Sequence, residues 1–146
     1  MRAFLLLASL LTVTCVSVSL SAATWYVDAS VSESGDGKSW ATACQKIQDG
    51  VDTASHADTV TVAEGTYAEN IAFNGKNIVL RSAAPSDPNV VAETIIDGKR
   101  RSSVVTFAGT EDETCVLEGF TIRGGRAEFG GGVCGGPSGA RTHATI

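Results

Sequence analysis

From Asp58 onward the chain is written in β-type runs of at most five residues, and that brevity limits the folds open to it. Thr59-Val60-Thr61-Val62 alternates polar and apolar. Asn70-Ile71-Ala72-Phe73, Asn77-Ile78-Val79-Leu80, Thr94-Ile95-Ile96-Asp97, Val104-Val105-Thr106-Phe107, Cys115-Val116-Leu117 and Gly119-Phe120-Thr121-Ile122 follow. Most joints carry Gly, Asn, Asp or Pro, such as the Ala63-Glu64-Gly65-Thr66 turn and Asn74-Gly75. A two-sheet sandwich calls for longer strands at even hairpin spacing. No second helix is legible among the runs, which argues against a βαβ fold. Short strands broken by glycine suit a solenoid whose coils stack edge to edge.

The one legible helix precedes these runs. Thr42 and Gln45 fit a capping box, with Thr42 as N-cap and Gln45 reaching back. Cys44, Ile47, Val51 and Ala54 recur at spacings of three and four, giving one apolar face that ends near Ala54. Gly50 inside this helix costs about 1 kcal/mol relative to Ala, so docking must hold it rather than propensity. Before it, Trp25-Tyr26-Val27 reads as a short strand and Asp28 to Lys38 as a polar loop around Gly35-Asp36-Gly37.

The N-terminus reads as an export signal. Met1-Arg2 carries one positive charge, Ala3 to Leu20 is nearly free of polar side chains beyond Ser, Thr and Cys15, and Ser21-Ala22-Ala23 supplies small residues before a cut. The apolar stretch is short for a membrane anchor and interrupted by Ser and Thr, and Thr12-Val13-Thr14 is a poor lipoprotein context for Cys15. Cleavage between Ala23 and Thr24 leaves 123 of the 146 residues, with 10 basic and 16 acidic side chains. The organisation expected is a signal peptide over 1–23, a strand, loop and capping helix over 24–57, and the first coils of a solenoid over 58–146. The mature chain, formally at −6, has no general basic field, so no nucleic-acid partner is expected, nor any membrane in the mature form. Cys44, Cys115 and Cys134 remain, an odd number for an oxidising compartment, with no C-x-x-C pair to suggest zinc or redox chemistry.

Trp25-Tyr26-Val27-Asp28, then Gly35-Asp36-Gly37-Lys38-Ser39-Trp40 and Ile47-Gln48-Asp49, resembles the opening of secreted right-handed parallel β-helix proteins of the pectin-lyase-like superfamily. Asp58 to Tyr67 looks like that family's first coil, and Leu117 to Gly125 followed by Gly130-Gly131-Gly132-Val133 looks like a later coil with its glycine-rich turn. The resemblance implies an all-β right-handed parallel β-helix solenoid with one N-terminal capping α-helix. An exposed end of such a stack is a template for aggregation unless covered, and Ile47 and Val51 would plug it beneath Val60 and Val62. Ile71, Ile78, Leu80, Ile96, Val105, Phe107, Leu117, Phe120 and Ile122 would stack inward. His143-Ala144-Thr145-Ile146 reads like a new strand without a cap, so the chain is expected to be the N-terminal portion of a longer protein, with downstream coils of the same chain as its partner.

No catalytic constellation emerges. Lys99-Arg100-Arg101 is the densest basic cluster, with Arg81, Arg123 and Arg126 elsewhere; lyases of the family use cations and calcium on acidic sugars, and the plainer reading is a solvated turn. Glu111-Asp112-Glu113, and Asp28 with Glu33 and Asp36, are candidate calcium ligands without EF-hand spacing, and otherwise solubilising turn residues. Asp97 and Glu118 are the acids that lie beside strands with Gly following. His56 and His143 lack partners at a recognisable spacing. Gly124-Gly125 and Gly130-Gly131-Gly132 suit tight turns rather than a phosphate cradle. Trp25, Tyr26 and Trp40 either stack on sugars or bracket the helix as core. Cys115 and Cys134, about one coil apart, form a candidate disulfide, with reduced burial as the alternative. The expectation is a secreted or surface β-helix module, non-catalytic, with a structural, adhesive or glycan-contacting role toward extracellular polysaccharide or cell-surface components, requiring no cofactor. The alternative is the N-terminal part of a polysaccharide lyase or glycoside hydrolase whose catalytic coils lie beyond Ile146.

Overall fold

The computed structural model describes residues 21–136. Most of the regular structure is short strand, assembled into three parallel sheets. Strand β1 (Thr24–Val27) comes first, then a 3₁₀ turn (Trp40–Thr42) and helix α1 (Ile47–Thr53). Nine strands follow. They are β2 (Thr59–Val62), β3 (Gly65–Tyr67), β4 (Ile71–Ala72), β5 (Val79–Ser82), β6 (Thr94–Asp97), β7 (Val105–Thr106), β8 (Val116–Glu118), β9 (Thr121–Arg123) and β10 (Val133–Cys134). Helix α2 (Pro88–Glu93) interrupts the connection from β5 to β6.

The sheets are β1-β2-β5-β8, β3-β6-β9 and β4-β7-β10, so from β2 onward successive strands visit them in unchanging rotation. From β2 onward each strand pairs with the one three strands later, in parallel register, while β1 pairs with β2 itself. Like residues therefore fall beside like. Trp25, Val60, Leu80 and Leu117 form one ladder; Tyr67, Ile96 and Ile122 a second; Ile71, Val105 and Val133 a third. Val60, Leu80, Ile71, Ile96 and Val105 are buried, and with Ile47, Val51, Phe73, Ile78, Phe107 and Leu117 they make one continuous core. Phe73 and Phe107 meet with ring centroids 4.6 Å apart. Phe120 and Ile122, expected in the same stack, are only half-buried at its margin.

Helix α1 is seven residues long and begins later than the capping-box pattern suggests. Cys44 is not helical; it pairs with Val27 in a parallel bridge. Thr42 and Gln45 do not cap the helix: Gln45 donates instead to the Val31 carbonyl, and its own amide donates to Ser34 Oγ. The cap comes from the next strand circuit. Glu69 accepts from the amides of Ile47 and Gln48, both at 3.0 Å, and the Lys76 ammonium donates to the carbonyls of Val51, Asp52 and Ala54 at the other end. An anion at the N-terminus and a cation at the C-terminus both oppose the helix dipole. Gly50 is required by contact: a Cβ there would lie 2.9 Å from Val27 Cγ2 and 3.0 Å from Val60 Cγ1.

The outer edges of the first strands are occupied. β1 exchanges backbone hydrogen bonds with Gly37 and Cys44. On β4, the Gln48 amide both donates to the Ala72 carbonyl and accepts from the Ala72 amide, pairing as a strand would. Asp58, buried, gathers the amides of Ala23 and Ser55 and the Trp25 indole N–H. Burial pushes its carboxyl up, but these three bonds outweigh it and hold the group below the usual carboxylate range.

Helix α2 corrects the expectation of a single helix. Asp87 accepts from the Asn89 amide as N-cap and Pro88 occupies the first turn. Six residues are too few to display an apolar period, and none of them is fully buried. Because β5 and β6 lie in different sheets, α2 is no βαβ crossover.

Candidate functional site

A groove of about 430 Å³ opens beside the ends of β1, β2 and β5, lined by Asp28, Ser30, Trp40, Ala63, Glu64, Ala83 and Val90. Three successive connections supply its floor: Asp28 follows β1, Ala63 and Glu64 follow β2, and Ala83 follows β5. Val90 on α2 forms one wall. Trp40 forms the other, with 43% of its surface exposed.

Local chemistry fixes the indole there. Gly35 and Gly37 donate to the carbonyls of Ala43 and Thr42, and the Ser39 and Thr42 hydroxyls share a hydrogen bond of 3.0 Å across the 3₁₀ turn. Gly37 has φ of +73°, and a Cβ there would press on Cys44 Sγ at 2.9 Å. The Tyr26 ring meets Trp40 edge-on at 4.7 Å, so Trp40 is backed by a half-buried aromatic rather than swinging free. Asp28 is oriented by the Ser30 amide on its Oδ1 at 2.8 Å. The lining thus combines one aromatic face with two carboxylates and no cation. Such a surface can stack on the apolar face of a sugar ring and accept hydrogen bonds from its hydroxyls, and it repels polyanions.

The other expected residues are dispersed. Trp25 is half-buried with its N–H on Asp58, and Tyr26 lies behind Trp40, so the sugar-stacking role falls to Trp40 among the three. Glu33 and Asp36 are exposed, away from the groove lining, and Asp36 accepts from the Lys38 amide. Glu111 turns inward, 1% exposed, accepting from the amides of Gly75, Ala108, Gly109 and Thr110. Burial pushes its carboxyl up, and the surrounding amides more than reverse this, holding it below its usual range. Asp112 binds Thr114 and Asn77, and Glu113 is exposed. Among the described residues no three His, Cys, Asp or Glu side chains converge as metal ligands.

Asp97 and Glu118 lie in different sheets and do not form a pair. Asp97 is held by the Lys99 amide and ammonium and by Arg123, which keep its carboxyl low. Glu118 aligns with Arg81 across the β5–β8 ladder. Lys99, Arg100 and Arg101 form an exposed turn beside Arg123 and Arg126, and none of the five lines the groove. His56, exposed, accepts from the Asn77 amide.

Cys44, Cys115 and Cys134 are free thiols, and no bridge joins Cys115 to Cys134. Cys115 is buried, which pushes its thiol up to about 11. Ala23 donates to Asp58 and accepts from the Thr59 amide, and Thr24 opens β1. Residues 1–20 of the expected signal peptide over 1–23, with Cys15, and His143 with the final run to Ile146, lie outside the described residues. No described helix is long and apolar enough to cross a membrane.

Glu64 and Val90 were not legible as groove residues, because Glu64 sat in a turn signal and Val90 in an unrecognised helix. The pattern Trp40 with Asp28 was visible only as two separate candidates.

No protein-family model matches the chain, and neither a curated protein nor a solved structure matches it.

Proposed function

We propose that this chain is a non-catalytic, glycan-contacting module of a secreted or cell-surface protein, built as a right-handed parallel β-helix of the pectin-lyase-like kind. The unvarying rotation of nine strands through three parallel sheets supports the β-helix reading. The glycan reading is carried by one observation: the exposed Trp40 face in a groove with Asp28 and Glu64. A lining with two carboxylates and no cation favours neutral or amino sugars over uronates. We read Asp28 and Glu64 as acceptors for sugar hydroxyls, Asp28 Oδ1 being already engaged by the Ser30 amide, so the contact proposed is binding rather than turnover.

Affinity electrophoresis against neutral β-glucan, chitosan and polygalacturonate tests this. Retardation is expected in β-glucan or chitosan and not in polygalacturonate. Trp40→Ala, a change at an exposed site, is expected to weaken binding about tenfold or more while leaving the unfolding transition in place. Preference for polygalacturonate, or unchanged binding by Trp40→Ala, refutes the assignment.

A further inference from the structure

A second surface, independent of the groove, gathers the chain's positive charge. Five of its eleven Lys and Arg residues, Lys99, Arg100, Arg101, Arg123 and Arg126, meet where the loops after β6 and β9 run side by side. Gly98 donates to the Arg123 carbonyl at 3.0 Å, Arg100 to that of Gly124 at 2.6 Å, and Arg126 to that of Ser102 at 2.9 Å. All five side chains belong to exposed residues. The acids here are Asp97, which takes Lys99 at 3.2 Å and Arg123 at 3.1 Å, and Glu128 in the following loop. The patch is therefore net positive by three on a chain whose formal charge is −5.

Two features set the patch apart from an ordinary solvated turn. Arg101 donates to the Gly98 carbonyl at 3.1 Å, and between them Lys99 and Arg100 have φ of +50° and +59°. That is the turn geometry which Asn and Gly fill at least cost. A chain with 16 glycines has placed two cations there instead. The neighbouring loop brings backbone of Gly125 and Gly131 into contact, and beyond that neck Phe129 stands 79% exposed. An exposed aromatic ring in the loop that follows Arg126, beside the cationic turn, matches a surface that is anionic outside and hydrocarbon beneath.

We propose that this corner docks reversibly on an anionic phospholipid surface, with Phe129 entering the interface and the five cations pairing with headgroup phosphates. A soluble polyanion would satisfy the cations but leave Phe129 in water, so the bilayer is the better fit. Each cation near such a surface is worth about fivefold in partition, and three net charges together about a hundredfold.

Vesicle co-sedimentation of the full chain tests this, comparing equal mixtures of phosphatidylglycerol and phosphatidylcholine with pure phosphatidylcholine. Any contribution of residues 1–20, including the cation Arg2, is the same in every variant, so the variants are compared with one another. Excess binding to the anionic vesicles is expected at about 0.1 M salt and its loss at about 1 M, where screening shortens to about 3 Å. The double change R100E/R101E should abolish the excess. Arg100→Gly should lower it about fivefold while keeping or raising the unfolding temperature, since glycine accepts the left-handed backbone; the lost binding is then not lost folding. Phe129→Ser should weaken vesicle binding without changing retention on heparin. No anionic excess, or an excess that survives R100E/R101E, overturns the proposal. Retention on heparin or DNA with vesicle binding untouched by Phe129→Ser also overturns it, reassigning the cations to a soluble polyanion.

Discussion

Glu111 is the side chain whose replacement should cost the fold most for its size. Its Oε1 accepts from Gly75 at 2.9 Å and Ala108 at 2.8 Å, and its Oε2 from Gly109 at 2.8 Å and Thr110 at 3.1 Å. Both oxygens face donors only, so a glutamine in either orientation keeps two bonds and points its NH₂ at two amides. The amides belong to half-buried or exposed residues, so each one left unsatisfied costs toward the lower end of about 1–3 kcal/mol, and Glu111→Gln, which strands two, is expected to cost about 2 kcal/mol. Glu111→Ala strands all four, about 4 kcal/mol against a total domain stability of about 5–15 kcal/mol. The assay is urea unfolding followed by circular dichroism, repeated from neutral to acid pH. The folded-state carboxyl is held below its ordinary value of 4.5. Its contribution is therefore complete above that value and lost as the pH falls through the folded-state value. The wild-type chain should lose stability across that acid window, and the glutamine variant, having nothing there to protonate, should lose correspondingly less. A Glu111→Gln protein within about 0.5 kcal/mol of wild type at neutral pH, or with the same acid slope, would refute the role of the four-amide cradle.

Gly50→Ala raises helix propensity by about 1 kcal/mol, yet the new methyl would meet Val27 and Val60 at 2.9 and 3.0 Å. Net destabilisation of about 1–3 kcal/mol is expected from thermal unfolding, and a stabilised variant would show that α1 is not seated against β1 and β2. Ser82→Ala should be neutral or stabilising by up to about 1 kcal/mol, because the buried Ser82 hydroxyl has no hydrogen-bond partner; a loss above about 1 kcal/mol would mean that it has one.

The strand alternation made most of the sheet residues readable, since period and burial depend on neighbours two residues away. Val60 and Val62 are buried where the alternation puts them, and Leu80, Ile96 and Leu117 where the expected inward stack puts them. What escaped was decided at longer range. β3 looked like a turn because Gly65 opens it, yet Tyr67 aligns with Ile96, which no local pattern reveals. The capping box at Thr42 and Gln45 was a sound local signal that lost to Glu69, twenty-two residues beyond Ile47. Lys76 is similarly remote from the carbonyls it closes. A helix of seven residues with a central glycine has little intrinsic stability, so its position is set by whichever partners the next circuit supplies.

The same reasoning explains why sequence found the ingredients of both surfaces and neither arrangement. Asp28 and Glu64 are brought together by the parallel register of β1 and β2, where Val27 stands beside Val62 and the residues that follow converge, and Trp40 joins them from the 3₁₀ turn against Tyr26. Arg123 and Arg126 reach Lys99 and Arg100 because Asp97 pairs in register with Arg123. In both cases residues more than twenty positions apart become neighbours through one strand pairing, and the connections leaving those strands carry the exposed chemistry. Local signals could identify the strands, but only the pairing says which two connections share a corner. In this fold the corner gathers what a single connection cannot: an aromatic face with carboxylates at one, cations with a projecting phenyl ring at another. Under the two proposals made above, the opposite charge of the two corners would keep the glycan and the anionic surface from competing for one site.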